Sequence, residues 1–452
     1  MMRTIFYLTA FIFSTTLNAQ HNTIQSPLAF PRQNNAVPGV AGEMYRPVDD
    51  LRWRFKTGGK IFSSPVIHDG VALIGSEDGN LYAVDITTGK EQWHFRTAGP
   101  VHSSPALYDN TVFFGSMDGH FYAVDFKTGK QKWRLQTGGE RRLGDTSYWG
   151  MKPLGEYHED LWDCFLSSPI VDNHASESFV YFGSSDSCVY AVNAKTGSIK
   201  WKFKTQGSVH ASPTLYKGTI YIGGWDTYLY AINAKTGREQ WKFKTGGQTA
   251  MSGIQASATV ENDVVYFGAR DAHLYALNAG NGTLLWKYDA AGSWIISSTV
   301  LNKTKDLLYV GTSDSYLFLA LNAKTGEEKY RFKTNGYVFG TPAVTGRTAY
   351  IGDFTGNFYS LDLASNGTRW NRFSTEGRNA NAGAILKKDT LNFAYAASGG
   401  DLSVYAVNKK VMDDFYKLGS IVSSPVVNDD VVYVGSADGY FYAMNLKKAD
   451  RL

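Results

Sequence analysis

The sequence predicts an all-β protein, a single β-propeller of four-stranded antiparallel blades, and three observations carry that expectation. The first is a recurring stretch. Residues 81–93 (Leu-Tyr-Ala-Val-Asp-Ile-Thr-Thr-Gly-Lys-Glu-Gln-Trp) return in close copies at 121–133, 189–201, 229–241 and 274–286. Each copy alternates like a half-buried strand, turns at Asp/Asn-x-x-Thr-Gly (Asn281-Gly282 in the last), and comes back on a strand carrying Trp. The second is the length of the complete unit: four strands and their turns in about 40 residues, the size of one blade. The third is the phase of the two ends. The repeat region opens at Leu51 with a lone Trp strand (52–55) and stops after a third strand (440–444) that has no fourth. The first strand is expected to complete the last blade and so close the ring, removing open sheet edges.

Taken in order, residues 1–19 read as a secretory signal. Arg3 is the one charge, residues 5–13 are apolar, and Leu-Asn-Ala at 17–19 precedes a cut before Gln20. No Cys follows that cut and no later stretch reads as a membrane helix. The mature chain is expected to be exported, periplasmic or extracellular, without a lipid anchor or integral membrane segment. Residues 20–50, with Pro27, Pro31, Pro38 and Pro47, read as an arm or linker. The propeller is expected over 51–452.

Within each unit the strands, here a to d, run as in 63–67, 72–76, 81–84 and 92–95, with turns at Asp69-Gly70, Asp78-Gly79 and Thr88-Gly89. Trp falls at the d position at 53, 93, 133, 201, 241, 286 and 370, with Tyr330 and Phe415 in its place elsewhere. Nine c strands match, ending at Asp85, Asp125, Asn193, Asn233, Asn278, Asn322, Asp362, Asn408 and Asn445. That gives nine repeats, with eight blades as the alternative, because the unit at 379–415 lacks the Thr-Gly turn.

Composition narrows function. The 452 residues carry 46 Gly, 14% aromatics and a net charge of only +4, which gives no electrostatic case for nucleic acid. Cys164 and Cys188 are the two cysteines. In an exported chain a disulfide and two free thiols both stay open.

The quoted motifs, Ser-Ser-Pro-Val at 63–66, Gly-Ser-x-Asp-Gly at 75–79 and Thr-Gly-Lys-x-x-Trp at 88–93, resemble the pyrroloquinoline-quinone (PQQ) repeat. The chain is similar to the propellers of quinoprotein dehydrogenases and of BamB-type outer-membrane assembly proteins, which usually have eight blades. The resemblance is specific for fold and weak for function. A PQQ dehydrogenase of this fold implies adjacent cysteines against the cofactor, a Ca²⁺ with acidic and amide ligands, and an Asp base. Cys164 and Cys188 are not adjacent, and no Cys-x-x-Cys-His is present.

What breaks the repeat falls on one face, the one carrying the b–c turns and d–a loops. An insertion at about 139–163 precedes the third blade and contains Arg141, Arg142, Trp149 and Trp162. Trp225 lies in a b–c turn and Trp294 in a d–a loop. Trp225, Tyr228, Arg270 and His273 are expected as neighbours on blades four and five, and aromatics with Arg suit a binding rim. The alternative is a loop covering the channel, with Trp filling gaps. His102 and His210 hold equivalent places in a mixed ring lining the channel mouth, too far apart for a shared metal. The acidic residues Glu156, Glu159, Asp160 and Asp163 match no Ca²⁺ loop and read as a solvated patch. The recurring turn Asp reads as structural.

The expectation is therefore an exported, non-catalytic binding or scaffold propeller, with a protein or peptide partner and no confident cofactor. Two alternatives stand. One is PQQ with Ca²⁺ oxidising an alcohol, with Arg270 or Arg141 on the quinone carboxylates and a Trp stacked on its ring. The other is a glycan-binding rim. Under the scaffold reading, removing Trp225 and Arg270 is expected to leave folding intact and lose the partner.

Overall fold

The computed structural model describes residues 36–37, 44–146, 155–172, 177–247, 251–302, 306–391 and 404–448. Residues 1–19 and Trp149 lie outside them. Eight blades of four antiparallel strands follow one another around an axis, and Ala36–Val37 adds a fifth strand, parallel, to the edge of blade 7. Blade 1 consists of Val66–His68, Val71–Gly75, Asn80–Asp85 and Glu91–Arg96 as strands a to d. Blades 2 to 7 span 106–136, 170–204, 214–244, 259–289, 300–333 and 343–374. In blade 8 the strand Val48–Lys56 pairs antiparallel with Tyr440–Leu446, so the N-terminal strand closes the ring as expected.

The repeat has a packing reason at each of its marked positions. Strands b and c are buried on both sides, because each sheet is covered by its neighbours in the ring, whereas strand d keeps every second residue half-exposed. The Trp of strand d docks onto the next blade's c–d turn: Trp53 Nε1 donates to the Ile86 carbonyl at 2.9 Å, and Trp286 Nε1 to that of Ala323 at 3.0 Å. The turn glycine fits beneath it. Gly89 has φ +68°, and a Cβ there would lie 2.7 Å from the Trp53 ring. Thr-Gly and Trp are therefore two halves of one inter-blade joint. The a-strand Ser forms a second joint around the axis. Ser64 N–H donates to Ser104 Oγ at 2.9 Å, Ser104 to Ser168 at 3.0 Å, Ser168 to Ser212 at 2.9 Å, and Ser424 to Ser64 at 2.9 Å across the closure.

Two expectations are corrected. There are eight blades, not nine. Residues expected as an eighth unit form a helical insertion between blades 7 and 8: α1 (Glu376–Ile385), a short hairpin (Leu386–Lys387 with Thr390–Leu391) and α2 (Val404–Lys417). Thr375 caps α1, its Oγ1 accepting from Arg378 N–H at 3.2 Å. Ser-Val-Tyr-Ala-Val-Asn at 403–408 has the lettering of a c strand, but no Thr-Gly follows to turn it back. Instead Val411, Met412, Phe415 and Tyr416 repeat at helical spacing and are buried together. Phe415 is thus a helix residue covering the channel, not a d-strand aromatic.

Trp370 is also displaced. The c–d hairpin of blade 7 contains a 3₁₀ turn (Leu363–Ser365) and lacks the bulge that shifts the c–d register in the other blades. Trp370 therefore pairs with Leu361, while Asn371 stands opposite Ser360, where every other blade places its d aromatic opposite Ala. Trp370 faces outward, 48% exposed. Asn371 turns its Nδ2 to the Val48 carbonyl at 2.7 Å, where the incoming N-terminal strand crosses. That crossing is pinned further by Tyr45 Oη donating to the Ser360 carbonyl at 2.9 Å.

Candidate functional site

The b–c/d–a face is covered by two insertions that clasp each other. The loop before blade 3 opens with a two-residue pairing (Gly144–Asp145 with His158–Glu159), then runs over the channel mouth. There Trp162, Cys164 and Phe165 join Phe62, Ile296, Phe339 and Val422 from the inner ring, and Val411, Met412 and Phe415 from α2, in one apolar cluster. Cys164 Sγ and Tyr416 Oη lie 3.1 Å apart, and His158 packs on Tyr405 with ring centroids 4.7 Å apart. These contacts join chain segments some 250 residues apart.

Beneath this lid lies a buried polar chain. Arg270 is paired with Asp160, and both side chains are fully buried. The Arg270 guanidinium carbon sits 4.6 Å from the ring centroids of both Trp225 and Trp294. Its Nε donates to Gln255 Oε1 at 2.7 Å, and Gln255 Nε2 donates to Asp163 Oδ1 at 3.0 Å. Asp163 Oδ1 lies 2.9 Å from His210 Nδ1, and His210 Nε2 lies 2.7 Å from Ser185 Oγ. Ser185 Oγ in turn donates to Glu140 Oε2 at 2.8 Å. Asp160 and Asp163, expected in a solvated patch, are thus the anchors that hold the insertion down. Burial costs a lone carboxylate heavily, so each has a cation opposite.

The pKa directions follow from this wiring. Burial by itself would raise the Asp163 carboxyl, but the charge of His210 outweighs it and holds it below the usual range. Burial would lower His210, and Asp163 reverses that, so the imidazole is pushed up. His102, equivalent to His210 two blades away on the same face, has no carboxylate in hydrogen-bond reach. Burial, with Arg142 adding repulsion, lowers it to about 3. Burial raises Glu140.

Asp163, His210 and Ser185 have the connectivity of a nucleophilic triad, but not its chemistry. Asp163 pushes His210 up, which favours its charged form over the base that would take a proton from Ser185. The Ser185 hydroxyl hydrogen is already given to Glu140, and Ser185 itself is 4% exposed.

The expected rim divides in two. Trp162, Trp225, Arg270, Trp294, His102 and His210 come together at the channel mouth, all but Trp294 buried. Tyr228 and His273 do not join them. They open c strands: Lys242 and Lys244 of the d strand lie 5.5 and 5.9 Å from the Tyr228 ring, and His273 packs on Tyr275 of its own strand at 5.8 Å. Arg141 is exposed at the loop edge. Cys164 and Cys188 are separate thiols, the first buried and the second half-buried on strand c of blade 3. The helical insertion was missed as part of the site. Its one sequence signal was the missing Thr-Gly turn.

The residues expected to hold PQQ do not fit it. The Arg270 cation is spent on Asp160, and Arg270 itself fills the slot between Trp225 and Trp294 that a planar ring would take. Among the described residues no group of three His, Cys, Asp or Glu could hold a metal ion. Beside α1 an open groove of about 650 Å³ is lined by Lys60, Glu376, Asn381, Asp413, Lys417 and Asp438. Among the described residues no helix is long and apolar enough to cross a membrane.

Comparisons agree with the architecture. The family model for outer membrane protein assembly factor BamB matches residues 43–148, 145–293 and 250–447. The structure is similar to the crystal structure of BamB from Moraxella catarrhalis, with 16% identity, TM-score 0.60, and 88% of this chain and 99% of that chain covered. It is similar in the same degree to a computationally designed protein, Ika8, at 15% identity and TM-score 0.60, covering 88% of this chain and 99% of that one. The quinohemoprotein alcohol dehydrogenase from Comamonas testosteroni matches at 13% identity and TM-score 0.63, covering 89% of this chain and 77% of that chain. At these identities the structural likeness concerns the fold alone. No curated protein sequence matches the chain. By the family model, which spans nearly all of the propeller, this chain belongs to the family of the outer membrane protein assembly factor BamB.

Proposed function

We propose that the chain is an exported, non-catalytic propeller that holds a protein or peptide partner on its b–c/d–a face. One observation carries this reading: Arg270, paired with Asp160, lies between the Trp225 and Trp294 rings at the channel mouth, so the place where this fold could seat a planar cofactor is filled by the chain itself. The two insertions extend the same face outward and leave the groove beside α1 open to solvent. Loops on a rigid scaffold are where binding concentrates. Export rests on the pattern of residues 1–19.

Two experiments test it. Purified protein mixed with PQQ and Ca²⁺ is expected to give no dye reduction with primary alcohols, and turnover would replace the scaffold reading with the dehydrogenase. A photo-crosslinker placed at Lys417 in the groove is expected to trap a partner in the native host, while one at Lys127, in a c–d turn on the opposite face, is not. Equal labelling at both positions would count against a one-faced binding surface.

A further inference from the structure

Seven of the eight blades carry the b–c turn Asp (blade 7 has Thr355 in its place), and the turn of blade 6 departs from the other six. Elsewhere the turn carboxylate is consumed by the fold. Asp78 accepts from Gly58 N–H at 2.7 Å and Tyr82 Oη at 2.8 Å. Asp226 accepts from Gln206 N–H at 2.8 Å and Tyr230 Oη at 2.7 Å, and Asp438 from Gly377 N–H at 3.0 Å and Tyr442 Oη at 2.6 Å. At Asp314 neither partner is present. The residue four positions on is Phe318, not Tyr, and the loop amide of Ala291 donates to Asp289 at 2.8 Å. Asp314 is exposed, and its described hydrogen bond is from Ser313 Oγ at 2.7 Å. Lys333 bonds to the Ser315 carbonyl at 2.5 Å and covers the Tyr316 ring at 4.8 Å rather than pairing with Asp314.

The carboxylate released in this way stands at a cavity of about 250 Å³ lined by Trp162, Trp294, Tyr337, Gly292 and Ser313. Its aromatic wall is rigid. Trp162 and Trp294 meet edge to face at 6.0 Å and 89°, and Trp294 is backed by Arg270. Tyr337 is stacked on Phe339 at 5.6 Å and packed against Phe415 at 5.5 Å. Ser313 Oγ accepts from the Trp294 backbone N–H at 2.8 Å while donating to Asp314, which ties the loop that carries the ring to the carboxylate. The charge of Arg270 is closed by Asp160, so Asp314 sets the sign of the site.

We propose that this cavity is a recognition site for an alkylammonium group, its positive head against the three aromatic rings and Asp314. Ring faces attract cations through their quadrupole, more strongly where water is excluded, and a carboxylate at the mouth adds selectivity for charge. The volume suits a head group of a few heavy atoms rather than a whole cofactor. Gly292 leaves the entrance open: its φ is +85°, and a Cβ there would meet nothing within 4 Å. The proposal stands independently of the partner-binding reading, since the cavity is built by the lid residue Trp162 and the loops flanking blade 6 and needs no partner to form.

Tryptophan fluorescence titration of the full chain tests it. The probes are choline, N-acetyl-lysine amide and the uncharged choline isostere 3,3-dimethylbutan-1-ol. Choline or the lysine amide is expected to bind saturably, the neutral isostere about tenfold more weakly, and Asp314→Asn to weaken cation binding by about fivefold. Which cation binds better tells a small quaternary ligand from a side chain of a partner. No saturable signal with either cation, or equal affinity for the neutral isostere, overturns the proposal. So does an unchanged affinity in a folded Asp314→Asn variant.

Discussion

Arg270 and Asp160 form an ion pair in which neither side chain reaches solvent, and the two residues belong to different layers of the molecule. Arg270 rises from the b–c turn of blade 5. Asp160 descends from the insertion before blade 3. The pair is what fastens the lid to the ring, and it gives the first prediction. Arg270→Met leaves the Asp160 carboxylate buried without a cation and is expected to lower unfolding free energy by about 3 kcal/mol in urea titrations. Asp160→Asn in the same background is expected to restore at least half of that loss. A purely additive double variant would show that the two side chains act separately. Trp225 is buried beside them, so Trp225→Ala with Arg270→Ala is now expected to act on stability rather than on partner binding alone.

His102 makes stability depend on acid. Its folded pKa is about 3, against about 6.5 when unfolded, because burial and then Arg142 oppose its charge. Between those values the unfolded chain binds a proton that the folded chain refuses, so stability is complete above pH 6.5 and falls as the pH drops. At pH 4 the cost from this group is about 3 kcal/mol. His102→Leu, with Leu166 in the equivalent place on the next blade, is expected to flatten the acid limb of a stability–pH curve relative to the parent. His210 has the opposite sign. Its raised pKa contributes stability that is complete below about 6.5 and lost as the pH rises through the folded value. His210→Gln is therefore expected to narrow the difference between neutral and alkaline conditions.

The displaced tryptophan separates letter from place. Trp241→Ala removes an indole that donates to the Ala279 carbonyl at 2.9 Å and packs on Tyr221, and is expected to cost about 3 kcal/mol. Trp370→Ala, on an outward-facing side chain, is expected to cost about 1 kcal/mol or less. Thermal melts of the two variants decide it, and equal losses would mean that Trp370 docks like its counterparts.

Two glycines should respond to alanine with opposite sign. Gly326 has φ +72°, and a Cβ would lie 2.6 Å from the Trp286 ring, so Gly326→Ala is expected to destabilise by more than about 2 kcal/mol. Gly383 is an exposed position of α1 with nothing within 4 Å of an added Cβ, so Gly383→Ala is expected to stabilise by about 0.5 kcal/mol or more. Chemical denaturation of the pair gives both values.

The repeat was legible wherever each residue's partner is another copy of the same motif. Trp53 over Gly89, and Ser64 bonded to Ser104, are joints whose two halves both carry a sequence mark. The count was misjudged where lettering and environment part. Val-Tyr-Ala-Val at 404–407 reads as strand c, but with no turn to return it and a helical run of apolar residues behind it, packing against Trp162 and Phe165 wins. The register of Trp370 was hidden because it follows Asp362 at the same spacing as Trp93 follows Asp85, while the c–d ladder of blade 7 lacks the bulge of the others, and a single-residue shift in a strand moves a side chain to the opposite face.

The candidate site shows the same division. Trp162, Trp225, Arg270 and Trp294 were found as residues that interrupt the repeat on one face. That they close on one another, with Asp160 and Asp163 beneath the lid, was not readable, because those carboxylates look like any charged loop until a buried cation stands opposite. By itself the sequence determined the blade, its turns, the closure by the N-terminal strand and the face on which irregularity collects, since all of these depend on short-range patterns repeated many times. Only the tertiary structure decided that there are eight blades, that the channel mouth is filled from within, and that Asp314, alone among the described turn carboxylates, is released from its turn. Each of those outcomes depends on which distant side chain arrives opposite, and a one-dimensional pattern does not carry that information.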